Sequence, residues 1–228
     1  MKEKIEYEAI DLGLPSGTLW AKKNIGAETE EDAGLYFQWG DIQGYTAEQV
    51  GVDKQFNWDD YKWSIDGTTS KFSKYNGRDG LFTLESSDDA ATQIMGSDWR
   101  MPTNEELIEL IDNTDIYYVS TTGQEIQATP NSIGYFNFPK ADSMKGMKFY
   151  KKDDHTKYIF IPVSDEAYYG STGYPIEETT GFLWSSSLAE EFLFCGWCLF
   201  FHAPYGQGFI NYNDRASGFP IRGVKQKD

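Results

Sequence analysis

Six consecutive residues near the C-terminal end of the sequence, 197–202, alternate as the side chains of a β-strand do. Because side chains two positions apart lie on the same face of a strand, the run divides into two sets. One set is Trp197, Leu199 and Phe201, and the other is Cys198, Phe200 and His202. We expect the first set to face the core and the second to face solvent. Since both sets are largely apolar, the pattern leaves open a strand that is buried on both faces.

The segment around this strand, 181–224, has the composition of a recognition surface. It contains eleven aromatic residues, both cysteines and one of the two histidines, but no Lys or Arg before Arg215. A turn cluster from Ala203 to Gly208 follows the strand directly and is expected at the surface. Aromatic side chains supply a large contact area at a low cost in conformational entropy. The segment is therefore predicted to present a ligand-binding surface at the end of a sheet.

The charge of the chain argues against two classes of partner. The net charge is −16, and no Lys or Arg lies between Tyr158 and Asp214. Nucleic acids and anionic membranes are both bound through clustered basic residues. No apolar run is long enough to cross a bilayer, and the first residues lack the apolar segment of a signal peptide. We therefore expect neither nucleic-acid binding nor membrane insertion.

The clearest helix signal lies just after residue 102. Thr103 and Glu106 have the spacing of a capping box, in which each residue satisfies a backbone N–H group of the other. Leu107, Leu110 and Ile111 then fall on one helical face. This pattern predicts an amphipathic helix that ends near residues 112–113.

The rest of the chain favours short strands and loops. A second short helix is predicted near residues 86–95, where serine and aspartate precede small apolar residues. Residues 41–80 have no clear period and are predicted to form long loops that aromatic residues hold in place. A chain of 228 residues can bury one substantial core. We predict an α+β fold of short antiparallel strands, two short helices and long loops, in a single domain spanning 1–228.

Four motifs, found in the same order along the chain, resemble those of a known family. They are DLGLPSGTLWA (11–21), DWRMPTNEEL (98–107), LWSSS (183–187), and Arg215 followed by IRGV (221–224). They are similar to the major paralogous domain of gut bacteria and their phages, which has a C-type-lectin-like, formylglycine-generating-enzyme-type fold. Within this likeness, 181–224 resembles the variable region of proteins diversified by a retroelement, a group that includes the phage major tropism determinant. The resemblance implies a C-type-lectin-like fold and a variable ligand-binding region.

The resemblance also implies which positions vary. In that group a reverse transcriptase misreads template adenines, so an Asn codon becomes a codon for many residues but never for Trp, Gln, Glu, Lys or Met. Thirteen positions are predicted to be variable and to form a solvent-facing ligand surface: Ala189, Phe192, Phe194, Cys195, Cys198, Phe200, His202, Pro204, Tyr205, Tyr212, Asp214, Ala216 and Ser217. Six residues are predicted to be the scaffold that holds this surface: Trp184, Trp197, Leu199, Phe201, Arg215 and Arg222.

The function implied is binding without catalysis, cofactor or metal ion. The expected partner is a protein or glycan receptor on a cell surface, and the expected location is a phage tail or the bacterial cell surface. One alternative is a redox or metal site, or a formylglycine-generating-type oxidoreductase, built on Cys195 and Cys198. However, a redox dithiol of this spacing needs a strand-to-helix turn, a zinc site needs a second pair of ligands, and the formylglycine-generating enzymes space their cysteines differently. A secreted adhesin of fixed specificity is the other alternative.

Overall fold

The computed structural model describes residues 7–168, 171–172 and 179–227. In these ranges the chain forms two α-helices, α1 (Ala90–Met95) and α2 (Asn104–Asn113), and one turn of 3₁₀ helix (Ala47–Gln49). The strands, in chain order, are β1 (Ala9–Ile10), β2 (Thr18–Ala21), β3 (Tyr36–Phe37), β4 (Thr114–Val119), β5 (Glu125–Gln127), β6 (Thr129–Ser132), β7 (Tyr135–Asn137), β8 (Gly146–Lys151), β9 (Asp154–Pro162), β10 (Ala167–Tyr168), β11 (Ser171–Thr172), β12 (Thr180–Leu188), β13 (Cys195–His202), β14 (Gln207–Asp214), β15 (Phe219–Pro220) and β16 (Val224–Gln226).

The strands form antiparallel sheets. The largest has five strands in the order β12-β13-β14-β7-β6, the next has four in the order β5-β4-β8-β9, and β1-β2-β16 form a third sheet. Two further pairs are β3 with β15 and β10 with β11. With its two short helices and long connections, this secondary structure is compatible with the predicted α+β class. The predicted variable region, 181–224, lies wholly within the described residues, whereas the predicted domain, 1–228, extends beyond them.

Both predicted helices are present, and α2 has the predicted cap. The Thr103 hydroxyl accepts a hydrogen bond from the backbone N–H of Glu106, and the Glu106 carboxylate accepts one from the backbone N–H of Thr103. Leu107, Leu110 and Ile111 are the buried residues of α2. The capping box therefore sets the start of α2, and the three apolar side chains fix the face that packs. None of the helices in the described ranges has the length and apolar character needed to span a bilayer.

A first core fills the space between the two largest sheets and α2. Its members include Leu110 of α2, Phe149 of β8, Ile161 of β9, and Leu199 and Phe201 of β13. A second core lies against the other face of β12 and β13 and is built from Trp39, Tyr75, Trp184, Cys198 and Phe219, among others. The middle of β13 is therefore covered on both faces, which is the alternative that the alternating pattern left open.

The long loops predicted over 41–80 contribute Tyr75 to the second core and their other buried aromatic residues to two smaller clusters. Their aromatic residues are buried at Phe56, Trp58, Tyr61, Phe72 and Tyr75. Apart from the 3₁₀ turn, these loops contain no regular helix or sheet strand within the described residues, so their position depends on side-chain packing. The predicted role of isolated aromatic residues in this segment is confirmed.

Candidate functional site

The thirteen positions predicted to be variable differ in exposure. Eight are half-buried or exposed: Phe192, Phe194, Phe200, His202, Pro204, Tyr205, Tyr212 and Asp214. The other five, each at most 3% exposed, are Ala189, Cys195, Cys198, Ala216 and Ser217. The prediction of a solvent-facing surface is therefore corrected at these five positions.

Packing and a hydrogen bond account for the burial of Cys198, Ala216 and Ser217. Cys198 lies in the second core, because loops that the sequence pattern did not locate cover its face of β13. Ala216 packs with Trp58 and Phe72 in a smaller cluster. The Ser217 hydroxyl donates a hydrogen bond of 2.7 Å to the Glu166 carboxylate. A different side chain at any of these positions has to displace neighbouring atoms, which makes them poor sites for variation.

One group of exposed and half-buried aromatic side chains lies at the β13–β14 pair, near the start of β13. Phe192 and Tyr212 are each 38% exposed, and their rings stack with centroids 4.9 Å apart. Trp197, directly opposite Tyr212 in the sheet, meets the Tyr212 ring edge-on at 5.5 Å and 84°. We call Phe192, Trp197 and Tyr212 the aromatic corner. Phe194 extends it, with its ring centroid 6.1 Å from that of Phe192.

The aromatic corner forms one wall of a cleft of about 420 Å³. Asn104 and Glu105, in the first turn of α2, also line this cleft, as do Glu190 and Glu191. We call this the acidic cleft, because three glutamates and no basic residue line it. Phe192 also borders a second, wider depression of about 700 Å³ that it shares with Phe194 and the 65–78 loop. The aromatic corner therefore stands between two concave surfaces.

A second exposed group lies near the end of β13 and in the turn after it. His202 stacks against Phe200, with centroids 6.2 Å apart, and Tyr205 lies 4.4 Å from His202 and is 64% exposed. Phe200, His202, Pro204 and Tyr205 are called the His202 patch. Burial lowers the pKa of His202, and the Asp165 carboxylate opposes this shift. Phe209 of β14 continues the patch, with its ring 5.2 Å from that of Phe200.

The two exposed groups project from opposite faces of the same strands. Trp197 pairs with Tyr212, and Phe200 pairs with Phe209, in one uninterrupted antiparallel register. Positions 197 and 200 differ by an odd number, so their side chains point to opposite faces of the sheet. The structure therefore does not bring the eight exposed positions together as one continuous surface.

The predicted scaffold residues are buried, with one exception. Trp184, Leu199, Phe201, Arg215 and Arg222 are fully buried, whereas Trp197 is half-buried and lines the acidic cleft. The Trp184 indole donates to the backbone carbonyl of Phe37. Trp197 therefore belongs to the candidate site as well as to the sheet that carries it.

The two buried arginines lack a carboxylate partner among the described residues. The Arg215 guanidinium donates to the backbone carbonyl of Tyr75, and Arg222 donates to the Asn24 side chain and to the backbone carbonyl of Phe160. Burial lowers the pKa of Arg215 and lowers that of Arg222 to about 9. Carbonyl oxygens, an amide oxygen and, for Arg215, aromatic rings thus replace part of the water that these cations lose on burial. Arg215 Nε and Nη2 and Arg222 Nη1 have no hydrogen-bond partner among the described residues.

The two cysteines are free and buried within β13. The pKa of the Cys195 thiol is raised to about 12, chiefly by burial. The Asp214 carboxylate also raises this pKa, and its effect is larger than the opposite effect of the Arg215 cation. Burial also raises the pKa of Cys198 well above its usual range. The described residues contain no group of three or more His, Cys, Asp and Glu side chains placed to hold a metal ion. The thiols are therefore protonated and inaccessible, the opposite of a reactive pair.

Several residues of the site were not identified from the sequence. Asn104 and Glu105 line the acidic cleft together with the aromatic corner, and Phe209 extends the His202 patch. The capping box predicted that a helix begins near Asn104, but no local pattern indicates what its first turn faces. Phe209 could have been found by pairing β13 with β14 across the predicted turn.

Comparisons of the chain with protein-family models, curated proteins and solved structures found no match.

Proposed function

We propose that this chain is a ligand-binding protein of C-type-lectin-like fold, and that it binds a protein or glycan receptor on a cell surface through aromatic side chains of its C-terminal strands. The observation that carries the proposal is the exposure of Phe192 and Tyr212, each 38% exposed, beside a cleft. Neither ring belongs to one of the buried cores. Exposed rings that the fold does not need for packing are typical of binding sites.

The support beneath these rings favours binding through a preorganised surface. Trp197 and Tyr212 sit on paired strands, and Gly196 lies so close to Trp39 that a Cβ atom there would approach the Trp39 ring to 2.6 Å. The Trp39 indole in turn donates to the backbone carbonyl of Ser185 in β12. Because the main chain is fixed by the buried layer beneath it, little conformational entropy is lost when a ligand binds.

Diversification by a retroelement is the second part of the proposal. It rests on the resemblance of 181–224 to variable regions and is confined to the eight exposed positions. Six of these positions lie outside the hydrophobic clusters, so their side chains can change without disturbing a core. Phe194 and Phe200 pack against buried clusters, so variation there has to keep some of this contact. By the same resemblance we propose a location on a phage tail or on the bacterial cell surface, where several copies would raise a modest affinity through avidity.

The redox and metal alternative finds little support in the geometry. Cys195 and Cys198 are three positions apart in one strand, so their side chains start from opposite faces. The chain continues as β13 after both cysteines, so it lacks the strand-to-helix turn that would stabilise a thiolate in a redox dithiol. No observation favours an adhesin of fixed specificity over a diversified one.

Binding can be tested with biotinylated protein assembled on streptavidin and applied to intact bacterial cells and to a glycan array. The proposal expects Phe192→Ala combined with Tyr212→Ala to abolish the binding shown by the unmodified protein. Val52→Ala combined with Ile133→Ala is the matched control, since both residues are exposed and apolar but lie outside the site. Equal loss in both double variants, or no binding by the unmodified protein, would contradict the proposal.

Diversification can be tested independently by sequencing the gene and the few kilobases beside it. The proposal expects a near-copy of the segment for 181–224, with adenines at the variable codons, next to a reverse-transcriptase gene. If no such copy exists, the surface is of fixed specificity and the adhesin alternative is favoured.

A further inference from the structure

The acidic cleft combines two features that the proposed function does not explain. Its glutamates, Glu105, Glu190 and Glu191, are all exposed, and no basic residue lines the cleft. The aromatic corner stands beside them with ring faces nearly perpendicular to each other. Resting on the proposed function, we infer that this cleft binds a cationic side chain, Lys or Arg, from a protein partner.

The aromatic corner suits a cation because aromatic faces carry negative electrostatic potential. Trp197 and Tyr212 meet edge-on at 84°, so a cation placed in the angle between the two rings lies close to both. Tryptophan and tyrosine are the aromatic residues that attract ammonium and guanidinium groups most strongly. Phe192, stacked on Tyr212 at 25°, holds that ring in place.

The carboxylates of the cleft have no cationic partner within the described residues. Glu105, Glu190 and Glu191 form none of the ion pairs there, whereas Glu106, the next residue along α2, is bound by Arg100 at 2.6 Å. Three carboxylates around one cleft repel each other, and a bound cation reduces that repulsion. The arrangement therefore favours a positive ligand over a neutral one.

The start of α2 does not turn this wall into an anion site. The backbone N–H of Asn104 donates to the Ser187 hydroxyl at 3.0 Å, and that of Glu106 donates to the Thr103 hydroxyl. Two of the N–H groups that would attract an anion at a helix start are thus occupied. The Glu105 side chain adds negative charge in the same turn.

The charge of the whole protein acts in the same direction. Lys71 and Arg78 line the neighbouring depression, which shares Glu191 and Phe192 with the cleft. However, no Lys or Arg occurs from 158 to 214, and the net charge of −16 gives the protein a negative field overall. Such a field speeds the approach of a basic partner and slows that of an acidic one. A neutral glycan would gain nothing from this field, and it would leave the three carboxylates without compensation.

The test uses a hexalysine peptide as probe, titrated into the full-length protein by calorimetry at low ionic strength, where charge interactions are least screened. The variant Glu105→Gln/Glu190→Gln/Glu191→Gln removes the cleft carboxylates. The matched control, Glu28→Gln/Asp98→Asn/Asp142→Asn, removes three exposed carboxylates elsewhere, so both variants have the same net charge. Hexalysine acetylated on its side chains is the neutral control for the probe.

The inference predicts that the cleft variant weakens hexalysine binding about tenfold, while the control variant changes it far less. Acetylated hexalysine should not bind. Equal weakening in the two variants, or equal binding of the acetylated peptide, would overturn the inference. If the Glu variants still bind cells or glycans and the Phe192→Ala/Tyr212→Ala variant does not, the proposed function stands and only the cationic ligand is rejected.

Discussion

The guanidinium carbon of Arg215 lies 3.9 Å from the centre of the Phe72 ring. Arg215 directly follows β14, which carries Tyr212, whereas Phe72 belongs to the loops that cover the sheet from outside. Trp39 and Tyr61 also lie within 5.5 Å of the same cation. This contact therefore connects the strand that presents the candidate site to the loop layer that supports it.

Replacing Arg215 separates the packing of this side chain from its charge. Arg215→Ala should lower the free energy of unfolding by about 3 kcal/mol or more, because it leaves a cavity among aromatic rings. Arg215→Met keeps most of the packed chain and removes a buried charge that lacks a carboxylate partner, so it should cost clearly less. Urea denaturation measures both. If Met is as destabilising as Ala, the cation–ring contacts and not the packing hold the layers together.

The start of α2 should make stability depend on pH. Burial raises the pKa of Glu106, but hydrogen bonds from Arg100, Thr103 and Thr18, with the charge of Arg100, bring it below its usual 4.5. A carboxylate whose pKa is lower in the folded than in the unfolded state contributes its full stabilisation of the fold at pH values above the unfolded-state pKa. This contribution is lost as the pH falls through the folded-state pKa. Stability should therefore decline as the pH drops below about 4.5.

Glu106→Gln identifies the source of that decline. At pH 7 the variant should lose about 2 kcal/mol, and the difference from the unmodified protein should shrink toward pH 3. Glu105→Gln, at the neighbouring exposed position, removes one carboxylate from the same turn and is the matched control. Urea unfolding followed from pH 3 to 7 provides the measurement, and parallel profiles for Glu106→Gln and the unmodified protein would contradict the assignment.

The cysteines should be unreactive in the folded protein. Because burial raises the pKa values of Cys195 and Cys198, almost no thiolate is present at pH 8. A thiol reagent that gives a coloured product should react slowly with the native protein and rapidly with both thiols in urea. Rapid reaction of the native protein, or a stable 1:1 metal complex lost when either cysteine is replaced, would favour the redox or metal alternative.

Local signals in the sequence predicted the local features of the fold. The capping box of Thr103 and Glu106 is present, and the alternation over 197–202 does form a strand. These features depend on interactions between residues that are close together in the chain, so the local sequence is enough to predict them. The covering of Cys198 could not be predicted, since it depends on residues such as Tyr75 that are more than a hundred positions away.

The same distinction applies to the candidate site. The composition of the sequence indicated that Phe192 and Tyr212 belong to a binding surface, because aromatic residues are concentrated in the segment 181–224. Glu105 comes from α2, and no feature of the segment 181–224 indicates that this helix begins beside it. The sequence pattern also could not predict which of the thirteen positions are buried. Small residues such as Ala216 and Ser217 occur both in turns and in cores.

The most direct test of a variable surface on a fixed framework compares two libraries on the yeast surface. In one, the eight exposed positions carry mixtures of the residues obtainable from Asn codons; in the other, the five buried positions carry the same mixtures. Resistance to protease reports the fraction of folded clones in each library. We predict that most clones of the exposed library fold and that most clones of the buried library do not, because buried polar or oversized side chains each cost about 1–3 kcal/mol. Equal fractions of folded clones in the two libraries would contradict the account.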